Sequence, residues 1–223
     1  MREALDQIKL NSVYNRVAER YDFQHSFFTA KSDQRGRELL VDKAVSPGDR
    51  VLDCGAGTGS TGLLAAQKVG ATGKVVLFDM SDGMLAVATQ KMVQARMQER
   101  VEFEAGDMVG LPFEDNSFDV VLSTYSLCPV YDPVRAATEL YRVTRPGGRI
   151  GIAHSTDPNT PLVKWLADRV ERIVWHLPSL SLGCRSVSVL PVLQQLKCKV
   201  IFKKYMGVPL WPFLVFVAEK QAT

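Results

Sequence analysis

The stretch VLDCGAGTGSTG, Val51 to Gly62, places an acid directly before a run of glycines, and two glycine spacings overlap in it. One is Gly55, Gly57 and Gly59 behind Asp53; the other is Gly57, Gly59 and Gly62 in the GxGxxG spacing of dinucleotide-binding turns. A glycine turn between strand and helix lets a ligand approach the backbone, because glycine accepts unusual dihedrals and has no Cβ. Such turns also arise for packing alone, so the acids carry more weight. A pyrophosphate on the turn would be repelled by a carboxylate at Asp53, whereas the sulfonium and ammonium groups of S-adenosylmethionine suit one. Asp79, some 20 residues after Gly59, stands where a carboxylate accepts hydrogen bonds from both ribose hydroxyls of either cofactor. Its alternative role, capping the next helix, is better served by Ser81 and Asp82. Asp107 in GDM is a candidate acceptor for an adenine amino group, with Met108 an apolar partner for the ring. Gly62 falls inside the helix start TGLLAAQ, where it permits close packing on a sheet.

These residues need elements to hold them. RVLDC (50–54), KVVLFD (74–79), VEFEA (101–105), FDVVLST (118–124) and RIGIAHS (149–155) are short, mostly β-branched runs bounded by turn residues, as buried parallel strands are. Helix-like stretches alternate with them: TGLLAAQKV, DGMLAVATQKMVQARMQ, and PVRAATELYRVT with an exit at ProGlyGly 146–148. The pattern predicts an α/β fold with an open parallel sheet covered on both faces. In the tail, PLVKWLADRVERIVWHL carries Leu162, Trp165, Leu166, Val170, Ile173, Val174 and Leu177 along one helix side, followed by the apolar VSVLPVLQQL. CKVIFKKYMG and WPFLVFVAEK then read as an antiparallel hairpin closing the sheet. The chain is expected to be one domain, 1–223: a helical lid (1–44), a cofactor-binding core (45–156), and a helical cover with the final hairpin (157–223).

Composition narrows the classes. With 223 residues and 46% hydrophobic content, the chain can bury one proper core. A net charge of +3 with dispersed Lys and Arg is not the footprint of a nucleic-acid binder. Cys54, Cys128, Cys184 and Cys198 form no CxxC pair, and His25, His154 and His176 add no metal-ligand spacing, so no metal site is expected. Such cysteines favour reduced thiols and a cytoplasmic protein. MREALDQIKL has no apolar segment of a signal peptide, and no apolar run reaches spanning length.

VLDCGAGTG, FDMSDGML, GDMVGLPFEDNSFDVVLSTYSL and ELYRVTRPGGRIGIA together resemble the successive motifs of class I S-adenosylmethionine-dependent methyltransferases. They are closest to the UbiE-like group that methylates demethylmenaquinone and polyprenyl benzoquinols, and VYNRVAERYDFQHSFF is similar to that group's YD segment. The resemblance covers residues 13–156 and implies the Rossmann-like class I fold, a seven-stranded, mostly parallel sheet with a C-terminal antiparallel hairpin. It further implies that Tyr21 approaches the methionine part of S-adenosyl-L-methionine, that Gly55, Ala56, Gly57 and Gly59 form the turn, and that Asp79 holds the ribose. Met80 and Met84 would flank the adenine, Asp107 and Met108 meet its edge and face, and Ser123 touch the amino-acid moiety. Two positions depart from the quinone group: Cys128-Pro129 replaces its usual Arg-Asn pair, and His154 stands where Glu is common. The tail is closer to phospholipid N-methyltransferases and other enzymes of lipophilic acceptors, with a helix pair before a turn like Leu182 to Arg185.

Methyl transfer from a sulfonium is an in-line displacement, so alignment and water exclusion matter most. An acceptor hydroxyl or phenol-activated carbon would need a base; His154, at the carboxyl end of a strand, is one candidate, and Tyr125 another. A hydrogen-bonded structural histidine and a pocket-wall tyrosine are the alternatives. Trp165, Trp175, Trp211, Phe27 and Phe28 are candidates to line a hydrophobic acceptor pocket, although the 162–177 stripe would also serve to cover the sheet. Lys164, Arg169 and Arg172, with Lys197, Lys199, Lys203 and Lys204, allow peripheral membrane contact or a solvated face. The leading expectation is a methyltransferase acting on a hydrophobic, quinol-like or lipid-like small molecule. An NAD-dependent oxidoreductase built on Gly57, Gly59 and Gly62, and a non-catalytic cofactor-binding subunit, are the competing readings.

Overall fold

The computed structural model describes residues 6–22, 32–158, 160–174, 186–208 and 211–222, without the side chains of 168, 170–174, 208 and 211. The five β-branched runs form the parallel part of one seven-stranded sheet: β1 (Arg50–Cys54), β2 (Lys74–Asp79), β3 (Val101–Ala105), β4 (Phe118–Thr124) and β5 (Thr144–Ser155). β6 (Cys198–Val208) and β7 (Trp211–Lys220) complete it, with β7 antiparallel to both β5 and β6. The order β3-β2-β1-β4-β5-β7-β6 reverses its direction of growth between β1 and β4. That is the switch point at which open parallel sheets leave a crevice beyond their carboxyl ends.

Helices cover both faces, as the alternation predicts. On one face α2 (Ser32–Ala44), α3 (Ser60–Lys68) and α4 (Asp82–Gln94) pack Leu40, Ala65 and Ala88 against Val51, Leu77 and Val120. On the other, α5 (Pro133–Val143) and α7 (Leu190–Gln195) pack Leu140 and Leu193 against Leu52, Val121 and Ile150. Successive strand residues serve opposite faces, so central strands must be apolar throughout. Burying each such side chain contributes roughly 1.5–3 kcal/mol, more than an exposed ion pair, and these two layers therefore hold the sheet between the helices. α1 (Gln7–Val17) and α6 (Pro161–Val174) are the remaining α-helices among the described residues.

Element ends differ from the expectation at three places. α4 stops at Gln94 rather than near 98, because Arg96 takes a left-handed backbone (φ 57) that a helix cannot continue. α5 ends at Val143, before ProGlyGly, and the following strand pairs Phe118 with Thr144 and Val120 with Arg149. Residues 145–148 are the extra length looped out there, with Gly147 at φ 72. In α6 the described part of the apolar stripe is exposed, Leu162, Trp165 and Leu166 at 70%, 51% and 44%, whereas Ala167 is buried and Val163, one turn before it, half-buried. Val170, Ile173, Val174 and Leu177 of that stripe lie outside what is described. Among the described residues, no helix is long and apolar enough to cross a membrane.

Candidate functional site

At the switch point the glycines divide into two kinds. The amides of Gly55 and Ala56 both donate to the carbonyl of Phe78, at 2.7 and 3.0 Å, tying the turn to β2. Gly55 (φ 74) leaves no room for a side chain, since a Cβ would sit 2.3 Å from Cβ of Ser126. Gly57 (φ 53) has open space where its side chain would be, and both glycines border a cavity. Gly59 and Gly62 do not border it: a Cβ on Gly59 would be 2.9 Å from Cβ of Ala88, and one on Gly62 2.8 Å from Leu77. Ala56 is buried in the core beside them. Ala56 and Gly59 therefore shape the turn from behind instead of lining the cavity, because the α3 face of the turn packs on β2 and α4.

The carboxylates stand around this turn. Asp79 accepts from the Gly57 amide at 2.8 Å through Oδ2 and from the Ser81 amide at 2.9 Å through Oδ1. Burial raises its pKa, and the backbone amides of Ser81, Gly57 and Met80 oppose the rise. Ser81, meanwhile, caps α4 through Met84 N, as the sequence suggests. Asp107 accepts through Oδ1 from Val109 N at 3.0 Å, while Oδ2 receives both the Gln7 amide nitrogen and the Tyr131 hydroxyl, the latter at 3.0 Å. Asp53 is fully buried behind the turn and does not border the cavity, and the Gly62 amide is the group that faces its carboxyl. Burial pushes it up to about 7, against the pull of Arg37 and the Gly62 amide. Cys54, beside Asp53, has its thiol pKa pushed up, chiefly by burial and then by the nearby acids.

The cavity encloses about 690 Å3 of space between the atoms, open solvent at its mouth included. Asp79, Met80, Met84, Asp107, Met108 and Tyr21 border it, so the structure gathers most of the cofactor-side residues read from the sequence. α1 closes one side: Gln7, Leu10 and Tyr14 line the cavity, and Tyr14 stacks obliquely on Tyr21 with ring centroids 6.1 Å apart. α1 is fastened to the core by polar contacts. Asn15 Oδ1 accepts from Ser81 Oγ at 2.7 Å and from Gly83 N at 2.9 Å. Asp22 receives Thr58 Oγ1 at 2.6 Å and Lys91 Nζ at 2.7 Å. Burial alone would raise the Asp22 carboxyl, but the Lys91 and Thr58 hydrogen bonds prevail and hold it below the usual range. Gln7, Tyr14, Asn15, Lys91, Thr124 and Tyr131 escaped sequence reasoning. Tyr14 and Asn15 lie in the segment VYNRVAERYDFQHSFF and Thr124 in the strand FDVVLST, both singled out above, but none of the six was itself named as a site residue.

Three expected positions are corrected. Ser123 does not border the cavity; its Oγ is paired with Ser126 Oγ at 2.7 Å, and the next residue, Thr124, lines the wall instead, since alternate strand residues point to opposite faces. Tyr125 does line the wall, with the left-handed backbone (φ 58) that turns the chain off β4. Its hydroxyl, however, donates to the Asp33 carbonyl at 3.4 Å against α2, and a Cβ on Gly36 would lie only 2.4 Å from it. Burial raises its pKa, so it is poorly suited to be a base. His154 is 1% exposed and absent from the cavity wall. Its Nδ1 lies 2.8 Å from the Ser155 carbonyl, its ring meets Phe216 edge-on, Nε2 has no partner, and burial lowers its pKa. The sheet's own β7 thus covers the histidine that the sequence offered as a base. Trp165 is likewise away from the cavity, while Phe27, Phe28, Trp175, the Trp211 side chain and the 182–185 turn lie outside the described residues.

A family model described as a methyltransferase domain matches residues 45–179. The chain belongs to the methyltransferase-domain family. It is 37% identical over 159 residues to a demethylmenaquinone methyltransferase of Clavibacter sepedonicus, covering 70% of this chain and 62% of that one. It is 36% identical over 165 residues to the chloroplastic 2-phytyl-1,4-beta-naphthoquinone methyltransferase of Arabidopsis thaliana, covering 71% and 63%. This methyltransferase-domain chain therefore spans under two thirds of the length of these relatives. Among solved structures, a SAM-dependent methyltransferase of Thermotoga maritima superimposes with a TM-score of 0.68 at 19% identity, over 94% of this chain and 99% of that one. That likeness places the fold in the Rossmann-like class I group.

Proposed function

We propose that the protein transfers a methyl group from S-adenosylmethionine to a hydrophobic, quinol-like small molecule. The observation that carries this reading is the pair of carboxylates, Asp79 and Asp107, that border the cavity beside a glycine turn at the sheet's switch point. Carboxylates there repel a pyrophosphate and suit a sulfonium with an ammonium group, which counts against the dinucleotide reading, as does the packing role of Gly62. The residues present fit the donor. Asp79 has acceptor capacity for ribose hydroxyls beyond its two amide bonds, Asp107 for an adenine edge, and Met80, Met84 and Met108 offer soft apolar contacts for the ring.

When bound, S-adenosylmethionine supplies an activated methyl group whose departure returns an electron pair to sulfur. The chain's own contribution is to hold the two reactants in line and keep water out. Asp79 fixes the turn through Gly57, and Asp22 with Lys91 fastens the lid segment over it. Leu10, Tyr14, Tyr21, Pro129 and Val130 give the rest of the cavity an apolar wall, fit for an aromatic acceptor. With His154 covered and the Tyr125 hydroxyl turned to α2, neither is placed to take a proton from an acceptor. A quinol hydroxyl is a phenol that is protonated at neutral pH, so the proton released on methylation has to pass from the acceptor to water at the open side of the cavity; the names of the relatives given above refer to such rings.

The exposed Leu162, Trp165 and Leu166, with Lys164 and Arg169 on the same helix, support a second element of the reading: contact with an anionic lipid surface, from which a lipophilic acceptor would come. The test is incubation of the protein with deuterated-methyl S-adenosylmethionine and a lipid extract, followed by mass spectrometry. Label in a quinone of the lipid fraction is expected; label confined to the polar fraction would overturn the hydrophobic acceptor. Donor binding without transfer to any acceptor would favour a non-catalytic subunit.

A further inference from the structure

α1 meets the core differently at its two ends. At the far end Asn15 Oδ1 accepts from Ser81 Oγ at 2.7 Å and from Gly83 N at 2.9 Å, so it adds a second cap to the start of α4, where Ser81 already receives Met84 N. The first amides of a helix have no partner within it, which makes such a cap from outside stabilising. The approach is close enough to exclude a side chain from α4: a Cβ on Gly83 would lie 2.8 Å from Asn15 Oδ1 and 3.2 Å from Asn15 Cα. Val17 and Ala18, clustered with the buried Met84, back the contact with apolar packing. The near end is held through a cavity acid. Asp6 caps the first turn from within α1 by accepting from Ile8 N at 2.7 Å, and Ile8 is 82% exposed. Gln7, on that turn, borders the cavity and gives its side-chain amide to Asp107 Oδ2, the oxygen that also takes the Tyr131 hydroxyl at 3.0 Å. Asp107 Oδ1 is turned to Val109 N within its own loop.

A carboxylate oxygen offers about two lone-pair sites, and Gln7 with Tyr131 fills both on Oδ2. A further N–H reaching that oxygen from the cavity has to displace one of them. Tyr131 adjoins Asp132, which caps α5 by accepting from Arg135 N at 2.9 Å, so it moves only with the core. Gln7 needs only its own helical turn to swing aside. We propose that α1 is a lid pivoting on the Asn15–Gly83 contact, and that Gln7 at its tip holds Asp107 until the exocyclic amino group of an adenine takes its place. The inference rests on the methyl-donor reading given above and adds to it a competitor carried by the chain itself. Leu10, buried and bordering the same cavity, is uncovered as the tip lifts and covered again by the entering ring. The hold of Gln7 reduces affinity by the fraction of molecules in which the tip is down. It also eases release, because Gln7 returns to Asp107 as the adenine leaves and the carboxylate keeps its full set of partners.

Isothermal titration with S-adenosylhomocysteine separates a competing tip from a plain cover. Gln7→Ala should tighten binding about three- to tenfold, and Gln7→Lys, whose ammonium group holds Asp107 more firmly, should weaken it by about the same factor. Gly83→Ala, which pushes α1 off its pivot, should weaken binding about three- to tenfold. A helix that merely covers the cavity would lose affinity from damage at either end, so unchanged or weaker binding by Gln7→Ala overturns the proposal. Tighter binding by Gln7→Ala without weakening by Gln7→Lys would show that the tip only crowds the mouth, and overturns it as well. Gly83→Ala without loss of affinity overturns the pivot; if that variant does not fold, Asn15→Ala, which removes the cap, is read in its place. A wild-type chain that does not bind S-adenosylhomocysteine would overturn the methyl-donor reading itself, a result distinct from all of these.

Discussion

A carboxyl enclosed on all sides behaves as a weak acid, and Asp53 with its value near 7 is the extreme position in this chain. In the unfolded chain an aspartate loses its proton near pH 4; in the folded chain Asp53 keeps it until about pH 7. Between those values the folded state binds more protons, so stability falls as pH rises, by up to about 1.4 kcal/mol per pH unit. Asp53→Asn should flatten the decline in urea midpoint between about pH 5 and 7.5, and identical slopes in the two proteins would show that Asp53 ionises normally. Carboxyls held low, such as Asp22 and Glu139, act in the opposite sense below that window, so the comparison isolates Asp53. For His154 the expectation is structural. His154→Gln should lower stability by about 1–3 kcal/mol while leaving kcat within about threefold. A loss of kcat of several hundredfold with unchanged stability would restore it as a base. Residue identities in the glycine turn and its acids were legible in the sequence because spacing fixes them along one strand and turn. The covering of His154 was not, since it depends on β7, about sixty residues on, laying Phe216 across it.

At the level of elements, strands were legible almost residue for residue, because a strand buried on both faces must be an apolar run with abrupt ends. Helix faces were less so. Among the described side chains of α6, Leu162, Trp165 and Leu166 are exposed while Ala167 is buried, the reverse of what a hydrophobic stripe normally signals. A helical lid was expected over 1–44, but the particular bonds that fasten it were not legible, because Gln7, Asn15 and Asp22 are ordinary polar residues until tertiary approach brings Asp107, Ser81 and Lys91 to them. Gly62 gives a test at this scale. Gly62→Ala places a methyl group 2.8 Å from Leu77 and 3.2 Å from Asp53 Oδ2, between α3 and β2. It should cost about 1–3 kcal/mol in denaturant unfolding, with S-adenosylhomocysteine affinity of the folded protein changed by less than about threefold. Selective loss of NAD binding in its place would return Gly62 to a dinucleotide turn.

Across the described part of the molecule, exposed charge and exposed apolar surface lie side by side on β6 and on α6. The edge strand β6 sets out Lys199, Lys203 and Lys204, which protect an open edge from pairing with another chain, whereas α6 shows bare apolar area beside its own cations. The wild-type protein should float with vesicles containing phosphatidylglycerol and not with phosphatidylcholine alone, and added salt should weaken the association. Trp165→Ser combined with Leu166→Ser should abolish flotation with S-adenosylhomocysteine binding intact; flotation unaffected by the pair would exclude α6 as the contact. Gly36 has a different reach. Because α2 carries no side chain there, the Tyr125 ring can lie back against the helix with its hydroxyl where a methyl group would otherwise stand. A larger residue at that point would have to drive the ring forward into the cavity. The room left for an acceptor is then adjustable from a position that never meets a ligand, so descendants of this chain could trade one acceptor for a smaller one through α2 while the donor's carboxylates stay as they are.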